Sequence, residues 1–372
     1  MPNTEKFKKK RKHIQPFLTI KHTMKNKTNA KKEKKKSKFY PGHKLPFIRT
    51  MDRWIVPLTF SFMIATLVAN AMKIEGAAKF ITLSYPLNGN MFAKGSNDVY
   101  FVLFSFCALT VARKIISKCV FEPVSAILNV RHTRKFVEQG WLIVYYTCSF
   151  SVGCHLLALR NWDIVEMMRT EVPRLYLTGT EKAFYLIQLS YWFHAVPITL
   201  IEKWRADFIQ MILHHVFTIG MISISYYTNM TTFGLMILAC SDIADIFLPL
   251  AKLFKYANLQ TLADITFAIF AIVWIPTRHG FYMQILYHIV FSWYGVIPEA
   301  GTYDPSRGVY LSQNIHLTWI LVLSLFQLLL CFWLRLLIIS VYKAIVNQGI
   351  DDSRSDSESD EEEEDEKMKK DK

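Results

Sequence analysis

The chain has 372 residues, 52% of them hydrophobic and 14% aromatic, and a formal charge of +14. Its length would allow two soluble domains, but the apolar residues come in runs of about twenty, the length that spans hydrocarbon. This excludes a soluble enzyme and gives an all-α polytopic membrane protein. The charge sits in the tails, since residues 1–49 carry +15 and residues 350–372 carry −7.

The basic arm, with KFKKKRKH and KKEKKKSK, has few aromatic residues and stands directly before a hydrophobic run. An electrostatic hold on anionic cytosolic lipid with a topogenic role fits it better than nucleic-acid binding, so no nucleic-acid partner is expected. The first apolar run begins near Trp54, too far from the terminus for a cleavable signal peptide, and is expected to remain as the first span.

Periodicity and apolarity predict spans over about 54–72, 99–117, 140–159, 183–201, 208–227, 232–253, 263–291 and 316–342. Eight crossings return both tails to one side. Arg113, Lys114, Lys118, Arg131, Arg134, Lys135, Lys203, Arg205, Lys252 and Lys255 fall on the side of the Lys-rich arm, which the positive-inside rule makes cytosolic. The opposite loops also hold Lys73, Lys79, Lys94, Arg160, Arg169 and Arg174, so the arm itself sets the orientation. The chain divides into a basic cytosolic arm (1–49), two leading helices (50–120), a catalytic bundle (121–345) and an acidic tail (346–372).

Between the first two spans, residues 74–97 read as a lumenal interfacial segment with no visible chemistry. Pro276 predicts a kink or break in the seventh span. Arg278 beside it reads as helix-end snorkelling in preference to contact with a polar substrate head. Residues 293–315 form the largest late lumenal loop. The six cysteines show no CxxC spacing, which argues against a zinc site or a disulfide framework. Asn229-Met230-Thr231 fits a glycosylation sequon, but its short loop favours an unmodified asparagine in a tight turn. In the tail, Ser353, Ser355, Ser357 and Ser359 each precede an acid by three residues, the pattern of acidophilic kinase sites. The terminal Lys369-Lys370-Asp371-Lys372 resembles the dilysine retrieval signal of endoplasmic-reticulum membrane proteins, which works on a cytosolic terminus.

The residues from Ser190 to Tyr256 are apolar enough for lipid, yet they hold His194, His214, His215, Asp242 and Asp245, and ionisable groups are expensive there. If Glu202–Asp207 stands at one membrane surface, a rise of about 1.5 Å per residue puts His214 about 9 Å deep, Asp245 about 10 Å, His194 about 12 Å and Asp242 about 15 Å. Three successive helices thus bring polar groups to one level. Any one of them can be read as bonding helix to helix, but the coincidence of depth points to a site. Asp242 and Asp245 share a helix face, whereas His214 and His215 point about 100° apart and should play different parts.

The same stretch resembles the Lag motif of ceramide synthases, within the TLC membrane-protein superfamily, and of fungal type. The matching pieces are Ser190-Tyr191-Trp192 with His194, Glu202 to Phe208, Gln210-Met211, His214-His215 with Thr218-Ile219, Ser225-Tyr226 with Asn229, Gly234, Asp242 with Asp245, and Ala251-Lys252 with Tyr256. Thr232, Ser241, Pro249 and Lys255 depart from the pattern, and none replaces a presumed catalytic group.

The resemblance implies transfer of a long or very-long fatty acyl chain from acyl-CoA to the amine of a sphingoid base, sphinganine or phytosphingosine, in sphingolipid biosynthesis. His214, His215, Asp242 and Asp245 form the expected catalytic set: imidazole takes the amine's proton or carries the acyl group, and a carboxylate fixes its tautomer. Direct attack and an acyl-imidazole intermediate both remain open. The expected substrate-binding set is His194, Lys203, Trp204, Arg205, Asp207, Gln210, Tyr226 and Asn229, with Lys203 and Arg205 placed to pair with CoA phosphates. No metal and no cofactor is expected, acyl-CoA being a substrate. Expected partners are acyl-CoA, the base and membrane lipids, with room for an accessory subunit and for homo- or hetero-oligomers. The expected location is the endoplasmic-reticulum membrane with both termini cytosolic. A metal-dependent hydroxylase or desaturase is disfavoured, because one His-His pair falls short of the several His boxes such enzymes need. A non-enzymatic TLC protein would leave the His and Asp groups dispensable.

Overall fold

The computed structural model describes residues 46–160, 163–201 and 207–346, with side chains described over 54–160, 163–200 and 207–346. The Lys-rich arm before residue 46, residues 202–206 and the acidic tail from residue 347 onward lie outside the described residues.

All eight apolar runs form helices. These are α1 (Pro46–Ala71), α2 (Asp98–Ile127), α3 (Thr133–Ala158), then after the short α4 (Ile164–Glu171), α5 (Gly179–Ile201), α6 (Phe208–Tyr227), α7 (Thr231–Tyr256), α8 (Gln260–Phe291) and α9 (Gln313–Ile345). Seven of them are long and apolar enough to cross a membrane, one fewer than the expected eight. The exception is α5, in which Glu181, Lys182, Gln188, Ser190 and His194 dilute the apolar content of a helix that is still 23 residues long. Its polar residues are buried against neighbouring helices, so it reads as less apolar because it lies inside the bundle.

Two helices run longer than their apolar cores suggest. In α2 a π-helical turn at Ser117–Phe121 carries the helix on through Glu122–Ile127. In α8 the expected break at Pro276 is a π-helical turn, Pro276–Phe281. An inserted residue re-satisfies the backbone where proline removes a donor, so the helix bends without opening. Close approach of α3 and α7 depends on Gly153, where a Cβ would stand 2.8 Å from the Ala239 Cβ; small residues at such contacts let backbones pack without a bulky side chain between them. The main apolar core gathers residues of α3, α5, α6, α7, α8 and α9, with the Tyr145 and Tyr191 rings stacked 3.5 Å apart.

One end of the bundle, where α6 turns into α7 at Asn229, is closed by a polar cap. β1 (Met91–Phe92) pairs antiparallel with β2 (Leu177–Thr178), and β3 (Tyr303–Asp304) with β4 (Val309–Tyr310). The segment 74–97, which shows no chemistry in the sequence, has a structural duty here. The fully buried Lys182 ammonium pairs with Asp98 at 2.7 Å and donates to the carbonyls of Ser84 and Ala93. Asp98 also accepts from the Tyr226 hydroxyl at 2.7 Å. Lys94 donates to the Arg174 carbonyl at 2.7 Å; burial pushes its ammonium down to about 7, with Arg174 and Lys182 adding to the shift. Arg160 pairs with Glu171 and Glu181, and Arg174 with Glu181 at 3.1 Å. Losing one partner of such a buried pair strands a charge, so this network clamps α2 and its preceding loop onto α5 and α6.

Candidate functional site: a chamber among five helices

A chamber of about 670 Å³ lies among α5, α6, α7, α8 and α9. Its walls include Met221, Ile222, Phe233, Ile289, Leu323 and Phe326, and its polar groups include His214, Asp242, Asp245 and Arg278. An apolar wall with few polar groups is the common form of a small-molecule site.

The helix periods explain which polar groups meet. Asp242 and Asp245, three apart on α7, both line the chamber, as does His214 from α6. These three share one cavity, whereas His194, expected at the same level, does not line it. The two aspartates are held differently. Asp242 is 2% exposed and its Oδ2 accepts from the Ser149 hydroxyl and from Gln188 Nε2 at 3.1 Å. Gln188 is fixed in turn by the Tyr145 hydroxyl at 3.0 Å. Asp245 pairs with Arg278 Nη2 at 2.8 Å, and the same nitrogen donates to the Ser241 carbonyl at 3.3 Å. Arg278 therefore does not snorkel; it is 8% exposed and faces the chamber from the π-helical turn. The extra residue of that turn redirects the side chain, and Asp245 compensates its charge where hydrocarbon would not.

His214 sits among aromatic rings. It stacks on Phe326 at 5.3 Å and meets Trp192 at 5.1 Å and Trp333 at 5.3 Å edge to face. Trp333 is held by Asp207, whose Oδ2 accepts from the indole nitrogen at 3.3 Å. His215, as its different direction on the helix requires, leaves the chamber and meets Thr199 of α5 through Nε2 at 2.9 Å. Nδ1 of His214 and of His215 has no hydrogen-bond partner among the described residues. The expected carboxylate that fixes an imidazole tautomer is thus absent at those nitrogens. Packing against rings orients His214 in its place.

Of the expected substrate-binding residues, those among the described residues do not line this chamber. His194 is 2% exposed in an aromatic pocket beside Phe106 and Trp141. Tyr226 belongs to the cap through Asp98. Asn229 adopts a positive φ of 62° at the corner between α6 and α7, and its Nδ2 donates to the Gly308 carbonyl at 2.7 Å. Gln210 is partly buried near the start of α6, outside the chamber wall. Lys203, Trp204 and Arg205 lie outside the described residues. Among the described residues, no three His, Cys, Asp or Glu side chains form a group able to hold a metal.

Sequence reasoning missed Ser149, Gln188 and Thr199, and named Trp192 in the motif without giving it a role. Ser149 and Gln188 carry a readable signal, as polar residues inside apolar runs, but which of them meets Asp242 depends on the facing of three helices.

The TLC domain family matches residues 135–339. The chain is 32% identical over 284 residues to the sphingosine N-acyltransferase lag1 of Schizosaccharomyces pombe, covering 75% of this chain and 73% of that protein. It is 30% identical to the sphingosine N-acyltransferase lac1 of the same organism, covering 82% and 80% respectively. Ceramide synthase 5 of Homo sapiens is 33% identical over 189 residues, half of this chain and 48% of that protein. With a matched domain that contains the whole chamber, and relatives of one kind, two of them matched over about three quarters of their length or more, the chain belongs to the Lag-type ceramide synthase family of TLC-domain membrane proteins.

Proposed function

We propose that this chain is a ceramide synthase, which transfers a long or very-long fatty acyl group from acyl-CoA to the amine of a sphingoid base. The observation that carries the reading is the chamber itself: an apolar wall for an alkyl chain, lined also by His214, Asp242, Asp245 and Arg278. The amine nitrogen bonds the thioester carbonyl, the carbon–sulfur bond breaks, and CoA leaves as the thiol. His214 takes the proton that the amine loses and returns it to the sulfur. An acyl group carried on His214 itself uses the same positions, with the amine attacking in a second step. The Arg278 cation, fixed by Asp245, offers charge near the carbonyl oxygen as it becomes negative. Asp242, held by Ser149 and Gln188, adds a carboxylate that can accompany the imidazolium.

The CoA head is polyanionic and stays at the membrane surface, where Lys203 and Arg205 bind its phosphates while the thioester reaches inward. Purified full-length protein, given a panel of acyl-CoAs and bases, tests the whole reading: N-acylated base must form in proportion to both substrates. In the same assay the Lys203→Ala/Arg205→Ala variant should raise the apparent KM for acyl-CoA, with a smaller change in kcat and little in the KM for the base. Absence of any N-acylated product overturns the function, and an unchanged acyl-CoA KM overturns the phosphate contact alone.

The membrane arrangement follows from eight crossings. α1 enters and α9 leaves at the same end of the bundle, opposite the Asn229 cap, provided that α5 crosses with the other seven. The Lys-rich arm makes that end cytosolic in the endoplasmic reticulum, and the terminal dilysine requires it. Protease added outside sealed microsomes should remove a tag from either terminus. Protection of one tag and loss of the other would take α5 out of the count.

A further inference from the structure

Thr218 stands one turn beyond His214 on the same face of α6 and lines the chamber. It is 6% exposed, and its Oγ1 has no hydrogen-bond partner among the described residues. Threonine inside a helix ordinarily bonds the carbonyl four residues back, as Thr59, Thr66, Thr110, Thr199, Thr277 and Thr318 do in this chain. Thr218 forgoes that bond. A buried hydroxyl left without a partner destabilises the fold, and such a group calls for an explanation in what binds beside it. The wall around it is apolar, with Met221, Ile222, Leu323 and Phe326, so a substrate would be the source of a partner.

We propose that the Thr218 hydroxyl recognises a hydroxyl group carried by a substrate chain a few bonds from the reacting centre. The proposal rests on the acyltransferase reading above, because position is measured from His214. One helical turn is about 5.4 Å, so the hydroxyl lies beside the first carbons past the reacting amine or carbonyl and not beside the far end of the chain. Every sphingoid base carries the two hydroxyls of its amino-diol head there, and two substrates add a further one that can be told apart: a base with an added hydroxyl next to that head, as in phytosphingosine, or an acyl-CoA hydroxylated on the carbon next to its carbonyl. The chemistry recognised is the same, a hydroxyl donating to and accepting from Oγ1 in a mostly apolar site. Such a site discriminates by leaving its own polar group unpaired when the matching hydroxyl is missing.

Purified full-length protein distinguishes the sources in two arms. One compares phytosphingosine with sphinganine at a fixed unsubstituted acyl-CoA; the other compares an α-hydroxyacyl-CoA with its unsubstituted parent at fixed sphinganine. In one arm the wild type should favour the hydroxylated substrate in kcat/KM, Thr218→Val should lose that preference by about tenfold, and Thr218→Ser should keep it. Thr218→Ala, without the branched side chain, should behave as Thr218→Val and guards against a packing effect of valine. Turnover of the unsubstituted pair by the wild type establishes the acyltransferase reading separately, so a failure at Thr218 does not touch it. The proposal is overturned if Thr218→Val and Thr218→Ala shift neither ratio. It is equally overturned if they lower kcat/KM alike for all four substrates, the result of a hydroxyl that serves only the fold, a bound water or the head hydroxyls common to every base.

Discussion

Replacing His214 by alanine is expected to lower the rate of N-acylation by about 10²- to 10⁴-fold, the usual contribution of a positioned acid–base group. The expectation rests on position: of the two adjacent histidines, His214 lines the chamber with Asp242, Asp245 and Arg278, while His215 bonds Thr199 on a neighbouring helix. His215→Ala should therefore cost less, with its effect passing through the packing of α5 against α6. The comparison is informative because both variants remove one imidazole from adjoining positions of the same helix. Protein yield and elution in detergent must stay near normal, since His214→Ala also leaves space beside Phe326, Trp192 and Trp333. A folded His214→Ala protein with near wild-type turnover would sink the assignment; so would a larger loss in His215→Ala than in His214→Ala.

The second large effect is on stability and comes from Arg278. Its guanidinium meets Asp245 at 2.8 Å with the arginine side chain 10% and the aspartate side chain 28% exposed. Removing one member of a buried pair takes away the other charge's main compensation, at a cost of up to about 3–5 kcal/mol. Because Asp245 keeps some access to the chamber, the lower end of that range, about 3 kcal/mol, is expected for Arg278→Met. Asp245→Asn should also destabilise, by stranding the arginine. In the double variant both charges are gone, so much of the loss should return; the non-additivity in a double-mutant cycle measures the pairing. Thermal unfolding in detergent reads it out. Additive losses in the double variant would mean that the two side chains act apart, and activity should stay low in all three proteins because both residues line the chamber.

The sequence alone determined the helices, because an apolar run about twenty residues long has few fates other than a membrane span. It also singled out His214, Asp242 and Asp245, which line one chamber, as ionisable groups counted to similar depths from one charged surface, because rise along a helix is fixed. The direction of His215 away from its neighbour followed from the helical period in the same way. Facing and partners were another matter. A helix period says that Asp242 and Asp245 share a face but not that Ser149 and Gln188 would cover one while Arg278 paired with the other. Those contacts depend on how three other helices are rotated and on a π-helical turn that redirects Arg278, neither of which leaves a period in the sequence. The same holds for α5, whose polar residues lower its apolarity as a segment yet are satisfied inside the bundle, and for Asn229, which belongs to a corner of the cap. Depth is a property of one helix and was legible; a site is a property of several helix faces together, and only their packing decided which side chains meet.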